Sequence, residues 1–190
     1  MTYIAFIRAI NVAGHASLKM TDARDAFTAA GCRNVRTYIQ SGNVLFECPA
    51  RKVTATLRAV KRRLADARAG EPIVLWRSEQ QLEEIVRHAP FTHRDAGPKV
   101  KLYVAFLARA PRVKLRFPVL LPKEALEAVA MTEREVFIVS RPKKNGFFGF
   151  PNNFIEDALD VPATTRNWST ITKIVELVGH ESERPRRGSN

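Results

Sequence analysis

Cysteines and long apolar runs are both scarce in this sequence. Its 190 residues include only two cysteines, Cys32 and Cys48, which are too few for a disulfide framework or a four-thiolate zinc site. The apolar run at the start is interrupted by Arg8 and is too short for a membrane span or for the core of a signal peptide. We therefore expect a cytoplasmic protein that does not associate with membranes. The two thiols are expected to be small packing residues.

Short catalytic and cofactor motifs are absent as well. The sequence contains neither G-x-G-x-x-G nor G-x-x-x-x-G-K-[ST], which excludes the usual loops for dinucleotides and nucleoside triphosphates. The segment QSGN around Ser41 lacks the G-x-S-x-G elbow of a serine nucleophile. His88 and His93 are separated by Pro90 and do not have the spacing of a helical metal-binding pair. We expect no metal ion and no cofactor.

Positive charge, by contrast, is abundant. Lysine and arginine number 31 against 19 aspartates and glutamates, which gives a formal charge of +12 and a pI near 10.3. Such a charge attracts polyanions over long distances, although an arginine-rich composition alone also produces solvated basic surfaces. The residues that lead the candidate polyanion face are Arg58, Arg62, Arg63, Lys143 and Lys144.

The first half of the chain predicts a β-α-β-β-α-β series. The strand-like runs are YIAFIR, VRTYIQ, NVLFEC and IVLW, and helices are predicted over about 21–30 and within 51–70. In the second helix the apolar side chains fall on one face and the arginines on the other. The apolar face consists of Val53, Leu57, Val60 and Leu64. This order of elements is that of a ferredoxin-like unit.

Local signals mark where these elements begin and end. Thr21 is expected to cap the first helix, and Gly31 suits the left-handed residue that follows it. Ser41 and Gly42 are typical of a two-residue hairpin loop between the second and third strands.

The second half mixes the same kinds of element. Helices are predicted for four segments, SEQQLEEIVRHA, LPKEALEAVA, NNFIEDALD and NWSTITKIVELVG, and the last of them is expected to end at Gly179. A strand is predicted for KLYVAFL. EVFIVSR and NGFFGF predict a hairpin across a basic loop, and the three phenylalanines of the second run are expected to pack in the hairpin or the core. We predict an α+β chain with a ferredoxin-like subdomain over 1–77, a related α+β subdomain over 78–180 and a disordered tail over 181–190.

Three blocks together carry a family resemblance: AFIRAINVAGH, NVRTYIQSGNVLFE and NNFIEDALDVPATTRNWSTITKIVELV. With them the chain resembles the bacterial family called domain of unknown function number sixteen ninety-seven. The resemblance implies an α+β fold of two small subdomains, the first ferredoxin-like, in a cytoplasmic protein. It implies no reaction and no catalytic residue. Ala9 and Ala13 stand where this family frequently has glycine.

Polar side chains from both halves form a second candidate site. They are Asn11, Arg36, Gln40, Ser41, Asn43, Arg166, Asn167, Thr170 and Lys173. Arg166 and Asn167 are predicted at the start of the last helix, where free backbone N–H groups favour an anion. Two guanidinium groups that converge there would grip a phosphate or carboxylate. Helix caps and turns account for the same residue types without a ligand.

Three functions therefore remain open. The first is a basic protein that binds nucleic acid or another phosphate-bearing ligand, with affinity that falls steeply as salt rises. The second is an enzyme or small-ligand binder that acts on an anionic metabolite in a cleft between the two subdomains. The third is a structural or partner-binding module. A ferredoxin-like fold hosts many unrelated functions and does not decide among them, and the sequence does not give the oligomeric state.

Overall fold

The computed structural model describes residues 1–8, 18–66, 72–92, 97 and 99–182. The chain forms two compact units, Met1–Gln81 and Leu82–Asn190. The candidate residue Asn11 lies outside the described residues, and so do positions 183–190 of the predicted tail. No helix among the described residues is long and apolar enough to cross a membrane.

The first unit is a ferredoxin-like α+β sandwich, as predicted. Its elements are β1 (Thr2–Arg8), α1 (Met20–Ala29), β2 (Arg33–Tyr38), β3 (Asn43–Glu47), α2 (Val53–Asp66) and β4 (Ile73–Ser78), with a 3-10 turn at Ala50–Lys52 before α2. The strands form an antiparallel sheet in the order β2-β3-β1-β4. This is the strand order that two β-α-β crossovers with a central hairpin produce.

The helices pack on one face of this sheet. There the sheet contributes Tyr3, Ala5, Ile7, Val44, Phe46 and Val74 to a core that α1 and α2 complete. The predicted apolar face of α2 is confirmed, because its four residues are all buried in this core. The strand register places a different set on the opposite face, namely Ile4, Phe6, Arg36, Asn43, Leu45 and Arg77.

Two local predictions in this unit are wrong. Thr21 does not cap α1, since the N-cap position is Lys19 and no side chain caps the helix. The loop between β2 and β3 has four residues rather than two, because Ile39 leaves the extended conformation at φ 48° and ends β2 early. The prediction for Gly31 is confirmed by its φ of 85°.

The second unit contains α3 (Glu79–Arg87, which starts in the first unit), β5 (Lys101–Leu107), β6 (Val119–Leu121), β7 (Leu126–Met131), β8 (Glu135–Ser140), α4 (Asn152–Leu159), β9 (Ala163–Asn167) and α5 (Trp168–Ser182). Its antiparallel sheet has the order β6-β7-β8-β5-β9. Four of these strands, β7-β8-β5-β9, repeat the order β2-β3-β1-β4 of the first sheet. The second subdomain therefore has the strand order of the first in a rearranged form. Between β5 and β7, the first two of these strands along the chain, it contains β6 and a 3-10 turn.

The segment LPKEALEAVA is not a helix, contrary to the prediction. Pro122–Glu124 form a 3-10 turn, Ala125 has a left-handed φ of 52°, and β7 begins at the next residue. Leu126 and Ala128 then alternate into the core of this unit. Pairing with β8 thus overrides the helix propensity of leucine, alanine and glutamate.

Two further predictions in this unit are corrected. The hairpin partner of β8 is β7, and NGFFGF contributes only an isolated bridge between Pro142 and Phe148. The last helix runs through Gly179 to Ser182. A side chain at Gly179 would meet no neighbouring atom within 4 Å, so the glycine is not needed as a terminator.

Candidate functional site

Helix α2 and the 3-10 turn before it carry a set of cations outside the buried stripe of the helix. We define the basic helix face as Arg51, Lys52, Arg58, Lys61, Arg62 and Arg63; the half-buried Lys61 excepted, these residues are exposed. No aspartate or glutamate occurs between residues 51 and 65. Because the apolar side of the helix is locked into the core, the charged side has a fixed direction.

The cations of the basic helix face have no carboxylate partner among the described residues, unlike several cations of the second unit. None of the six side chains forms an ion pair with another of the described residues. In the second unit, by contrast, Lys173 Nζ lies 2.7 Å from Glu176 Oε2 and Arg141 Nη1 lies 2.9 Å from Glu127 Oε2. Ion pairs cancel much of the field of a surface cation, so the field of α2 remains uncancelled by near neighbours.

Lys143 and Lys144, the other two members of the predicted polyanion face, belong to the second unit. They lie in the loop after β8, where Lys143 Nζ is 2.5 Å from Glu124 Oε2 and Lys144 is exposed. The predicted face therefore divides between the two units. The part on α2 holds the cations without carboxylate partners, while Lys143 is neutralised.

The first-unit members of the candidate anion site lie around the β2–β3 loop. Arg36 and Asn43 share one face of the sheet, since Arg36 pairs with Leu45 and Asn43 with Tyr38. Asn43 is fully buried, and its Nδ2 donates hydrogen bonds to the Tyr38 carbonyl at 3.2 Å and to Ser41 Oγ at 2.7 Å. These bonds give Asn43 and Ser41 a structural role in the loop.

The second-unit members of that site include a buried arginine. Arg166 lies in β9 and not at the start of α5, because ATTRN pairs with β5 and the helix begins only at Trp168. Its Nη1 donates to Thr164 Oγ1 and to the Thr165 carbonyl, both at 2.8 Å. Burial lowers the pKa of the Arg166 guanidinium to about 10.

The remaining members lie at the surface or near it. Asn167 and Gln40 are exposed, Thr170 is half-buried in the first turn of α5, and Lys173 is engaged with Glu176. The role of this set in binding an anion stays a prediction. Sequence reasoning missed a second buried arginine, Arg77, which donates from Nη1 to the Trp76 carbonyl at 2.7 Å; its position two residues after the buried Leu75 was the available signal.

Two aromatic side chains were also missed. Phe147 and Phe150 were expected in the core or the hairpin, but they are 74% and 62% exposed. Phe148, between them, is half-buried, with Lys101 Nζ 4.4 Å from the centre of its ring. The run of phenylalanines interrupted by glycine was visible in the sequence, but no local signal there distinguishes exposed rings from packed ones.

The two cysteines are in an environment that disfavours thiol chemistry. Cys32 and Cys48 are both buried, and burial, together with the neighbouring Cys48 thiol, raises the pKa of Cys32 to about 12. A thiol in this state is protonated and a poor nucleophile. Within the part of the chain that the structure describes, no group of three or more His, Cys, Asp or Glu residues could hold a metal ion.

Comparison with known proteins assigns the family. The family model described as "Protein of unknown function (DUF1697)" matches residues 1–137. The chain belongs to this family. The part of this DUF1697 protein that matches includes the whole first unit and its basic helix face, whereas Arg166, the exposed phenylalanines and α5 lie beyond it. No curated protein matches the chain at a significant level.

A solved structure supports the fold. The conserved bacterial protein from Streptococcus pneumoniae is similar to this chain, with a TM-score of 0.56 and 18% sequence identity. The likeness covers 93% of this chain and 98% of that one. At this identity it shows a common α+β fold and nothing about a ligand.

Proposed function

We propose that this DUF1697 protein is a polyanion-binding protein and that its basic helix face binds the phosphate backbone of nucleic acid. The observation that carries the proposal is the set of six cations within residues 51–63, which have no carboxylate partner among the described residues. Guanidinium groups suit phosphate because their donors form a planar fork that matches two phosphate oxygens.

The geometry of α2 supports contact with successive phosphates. Arg58 and Arg62 are four residues apart, so they lie on one side of the helix with a rise of about 6 Å between them. Phosphates along one strand of a duplex repeat every ~3.4 Å along the axis. The two arginines can therefore reach different phosphates of one strand. Arg51, which precedes Arg58 by two helical turns in sequence, extends the row.

The placement of the aromatic residues in the first sheet favours contact with the phosphate backbone of nucleic acid over recognition of its bases. RNA-binding domains with this topology stack bases on aromatic residues of the first and third strands of the sheet. Here the aromatic residues Tyr3 and Phe46 point into the core with the helices, and Phe6 on the opposite face is fully buried. Without a stacking surface on this sheet, the first unit would bind with little sequence preference.

The alternative is a protein that binds a small anionic metabolite through Arg36, Arg166, Asn167 and Lys173. It has weaker support, because Arg166 donates to Thr164 and Thr165 of its own strand and Lys173 already pairs with Glu176. Affinity for a single small anion would vary little with salt, whereas contact with many phosphates makes affinity fall steeply.

The test is a fluorescence anisotropy titration of labelled duplex and single-stranded oligonucleotides over a salt series. The test variant replaces Arg58, Arg62 and Arg63 by glutamine. A matched variant replaces Arg112, Lys114 and Arg116, three exposed cations of the second unit, and lowers the formal charge by the same amount. We expect the first variant to lose binding and the second to retain most of it. No binding by the wild type near physiological salt would overturn the proposal.

A further inference from the structure

The loop after β8 presents a surface that the proposed function does not use. The segment 141–150, RPKKNGFFGF, contains three cations and no carboxylate. Its Phe147 and Phe150 rings are among the most exposed large apolar side chains of the described residues. Exposed apolar patches rimmed by polar residues mark interaction sites.

We infer that this loop is a stacking site for the unpaired bases of single-stranded nucleic acid, with Phe147 and Phe150 as the platforms. Every base has a π face, so base stacking on exposed aromatic rings gives affinity without sequence preference. Lys144, exposed beside the rings, supplies a cation for the phosphates. The inference is independent of the basic helix face, because the loop belongs to the other unit.

Hydrogen bonds fix the conformation of the loop that carries the rings. Lys143 N donates to the Phe147 carbonyl at 2.8 Å, and Gly146 N donates to the Lys143 carbonyl at 2.8 Å, which closes a tight turn. Ser140 Oγ donates to the Gly149 carbonyl at 3.1 Å, so the returning strand of the loop is tied to β8. A rigid platform loses less entropy on binding than a flexible one.

Gly149 determines how closely the loop can approach its support. A Cβ atom at this position would lie 2.3 Å from the carbonyl oxygen of Glu124 and 3.1 Å from Leu126 Cγ. The backbone therefore lies directly on the 3-10 turn before β7, as only glycine permits. Of the two neighbouring rings, Phe148 has Lys101 Nζ above it, and Phe150 lies nearly perpendicular to Tyr103 with 5.7 Å between the ring centroids.

The spacing of the two exposed rings fits a short stretch of single strand. Phe147 and Phe150 are three residues apart, so their Cα atoms are separated by at most about 10 Å. That distance accommodates one or two unpaired nucleotides between the rings. A duplex would not offer its base faces, so the site discriminates by strandedness.

A single strand fits this surface better than a membrane does. Segments that lie in the membrane interface combine an apolar face with a polar face rich in lysine and arginine, whereas two of the three cations of the loop 141–150 are paired with carboxylates. Its carboxylate neighbours, Glu124 and Glu127, are held by Lys143 and Arg141, which leaves Lys144 and the rings as the outward features.

The test compares the full-length wild type with Phe147→Ala/Phe150→Ala for binding to a labelled single strand and to a duplex of equal length. Stacking is worth about 1–3 kcal/mol per base, so we expect the single-strand Kd to rise roughly five- to 150-fold for each ring lost. Duplex binding and the salt dependence of both should stay unchanged, because stacking involves no counterion release.

Two further variants make the result specific. Phe150→Tyr keeps a ring and should keep single-strand binding, whereas Phe147→Leu keeps only apolar area and should lose it. Leu120→Ala, which truncates another exposed apolar residue of the same unit, serves as the matched control and should change nothing. Far-ultraviolet circular dichroism of each variant verifies the fold.

Three outcomes would overturn the inference. One is a single-strand affinity that the double alanine variant leaves intact. A second is loss of binding to phosphatidylserine vesicles in that variant without any loss of oligonucleotide binding, which would assign the loop to a lipid surface. A third is a dimer, detected by light scattering, that the same variant abolishes, which would assign the loop to a second copy of the chain. Failure of the basic helix face would appear separately, as a salt dependence of duplex binding that Arg58→Gln/Arg62→Gln/Arg63→Gln leaves unchanged.

Discussion

The amide nitrogen of Asn43 lies 2.7 Å from Ser41 Oγ and 3.2 Å from the Tyr38 carbonyl oxygen. One buried donor group thus fastens both ends of the loop that joins β2 to β3. Ile7 N, on the neighbouring strand, donates to the Gly42 carbonyl at 2.7 Å and holds the same loop from the other side. The side chains of Asn43 and Ser41 are therefore engaged in the architecture of the first unit before any ligand is considered.

This arrangement predicts that Asn43→Ala destabilises the protein. Removing the amide leaves the Tyr38 carbonyl and the Ser41 hydroxyl without this donor, which costs about 1–3 kcal/mol in free energy of unfolding. Urea denaturation measures the effect. The exposed neighbour Gln40 provides the control, and Gln40→Ala should change the free energy by less than about 0.5 kcal/mol. If Asn43→Ala left the free energy of unfolding unaltered, Asn43 would not have this structural role, and a role in ligand binding would be favoured.

The anchoring of α2 gives a second prediction. Leu57 is buried beneath the basic helix face, and Leu57→Ala should lower the free energy of unfolding by about 2–5 kcal/mol, because it deletes buried methyl groups and leaves a cavity. Leu177, an exposed leucine in α5, is the matched control. If Leu57→Ala were as mild as Leu177→Ala, α2 would not be fixed to the sheet as described.

The buried thiol of Cys32 predicts how the stability of the protein depends on pH. Burial raises its pKa from 9.0 to about 12 in the folded protein, so the folded state favours the protonated form. Its contribution to stability is complete below pH 9 and is lost as pH rises towards about 12. The stability of the wild type should therefore decline more steeply over this window than that of Cys32→Ala. Parallel curves from chemical denaturation at several pH values would show that Cys32 is not held protonated by the fold.

Alkylation offers an independent check of the same thiol. At neutral pH, iodoacetamide should modify neither Cys32 nor Cys48 in the native protein, since both are buried and the thiolate is the reactive species. Both should react after denaturation. Rapid labelling of the native protein at Cys32 would contradict the raised pKa.

The fold of the first unit was predictable because its signals are local. The apolar stripe of α2 and the alternating strands specify their own elements, and the topology follows from their order. The segment LPKEALEAVA was not predictable in this way. Its residues favour a helix, and the pairing of Leu126 with Ser140 and of Ala128 with Ile138, which makes it a strand, depends on residues more than nine positions away.

The candidate surfaces also differ in whether the sequence predicts them. The cations of α2 could be predicted, because an amphipathic helix with a strong apolar stripe exposes its other side. The exposure of Phe147 and Phe150 could not be predicted, because it depends on the close approach of Gly149 to the backbone of Glu124. The burial of Arg77 and Arg166 also depends on the packing of whole sheets. Strand alternation places Arg77 on the face of Leu75 but does not determine that this face is covered.

The most direct test of the central proposal is the dependence of duplex affinity on salt concentration for the wild type and for Arg58→Gln/Arg62→Gln/Arg63→Gln. Each phosphate contact contributes about 0.9 to the slope of log K against log salt. If the basic helix face binds the backbone, the variant should reduce that slope by roughly 2–3, while Arg112→Gln/Lys114→Gln/Arg116→Gln leaves it close to the wild-type value. Equal slopes for the two variants would mean that net charge alone attracts the nucleic acid, and would contradict a binding face on α2.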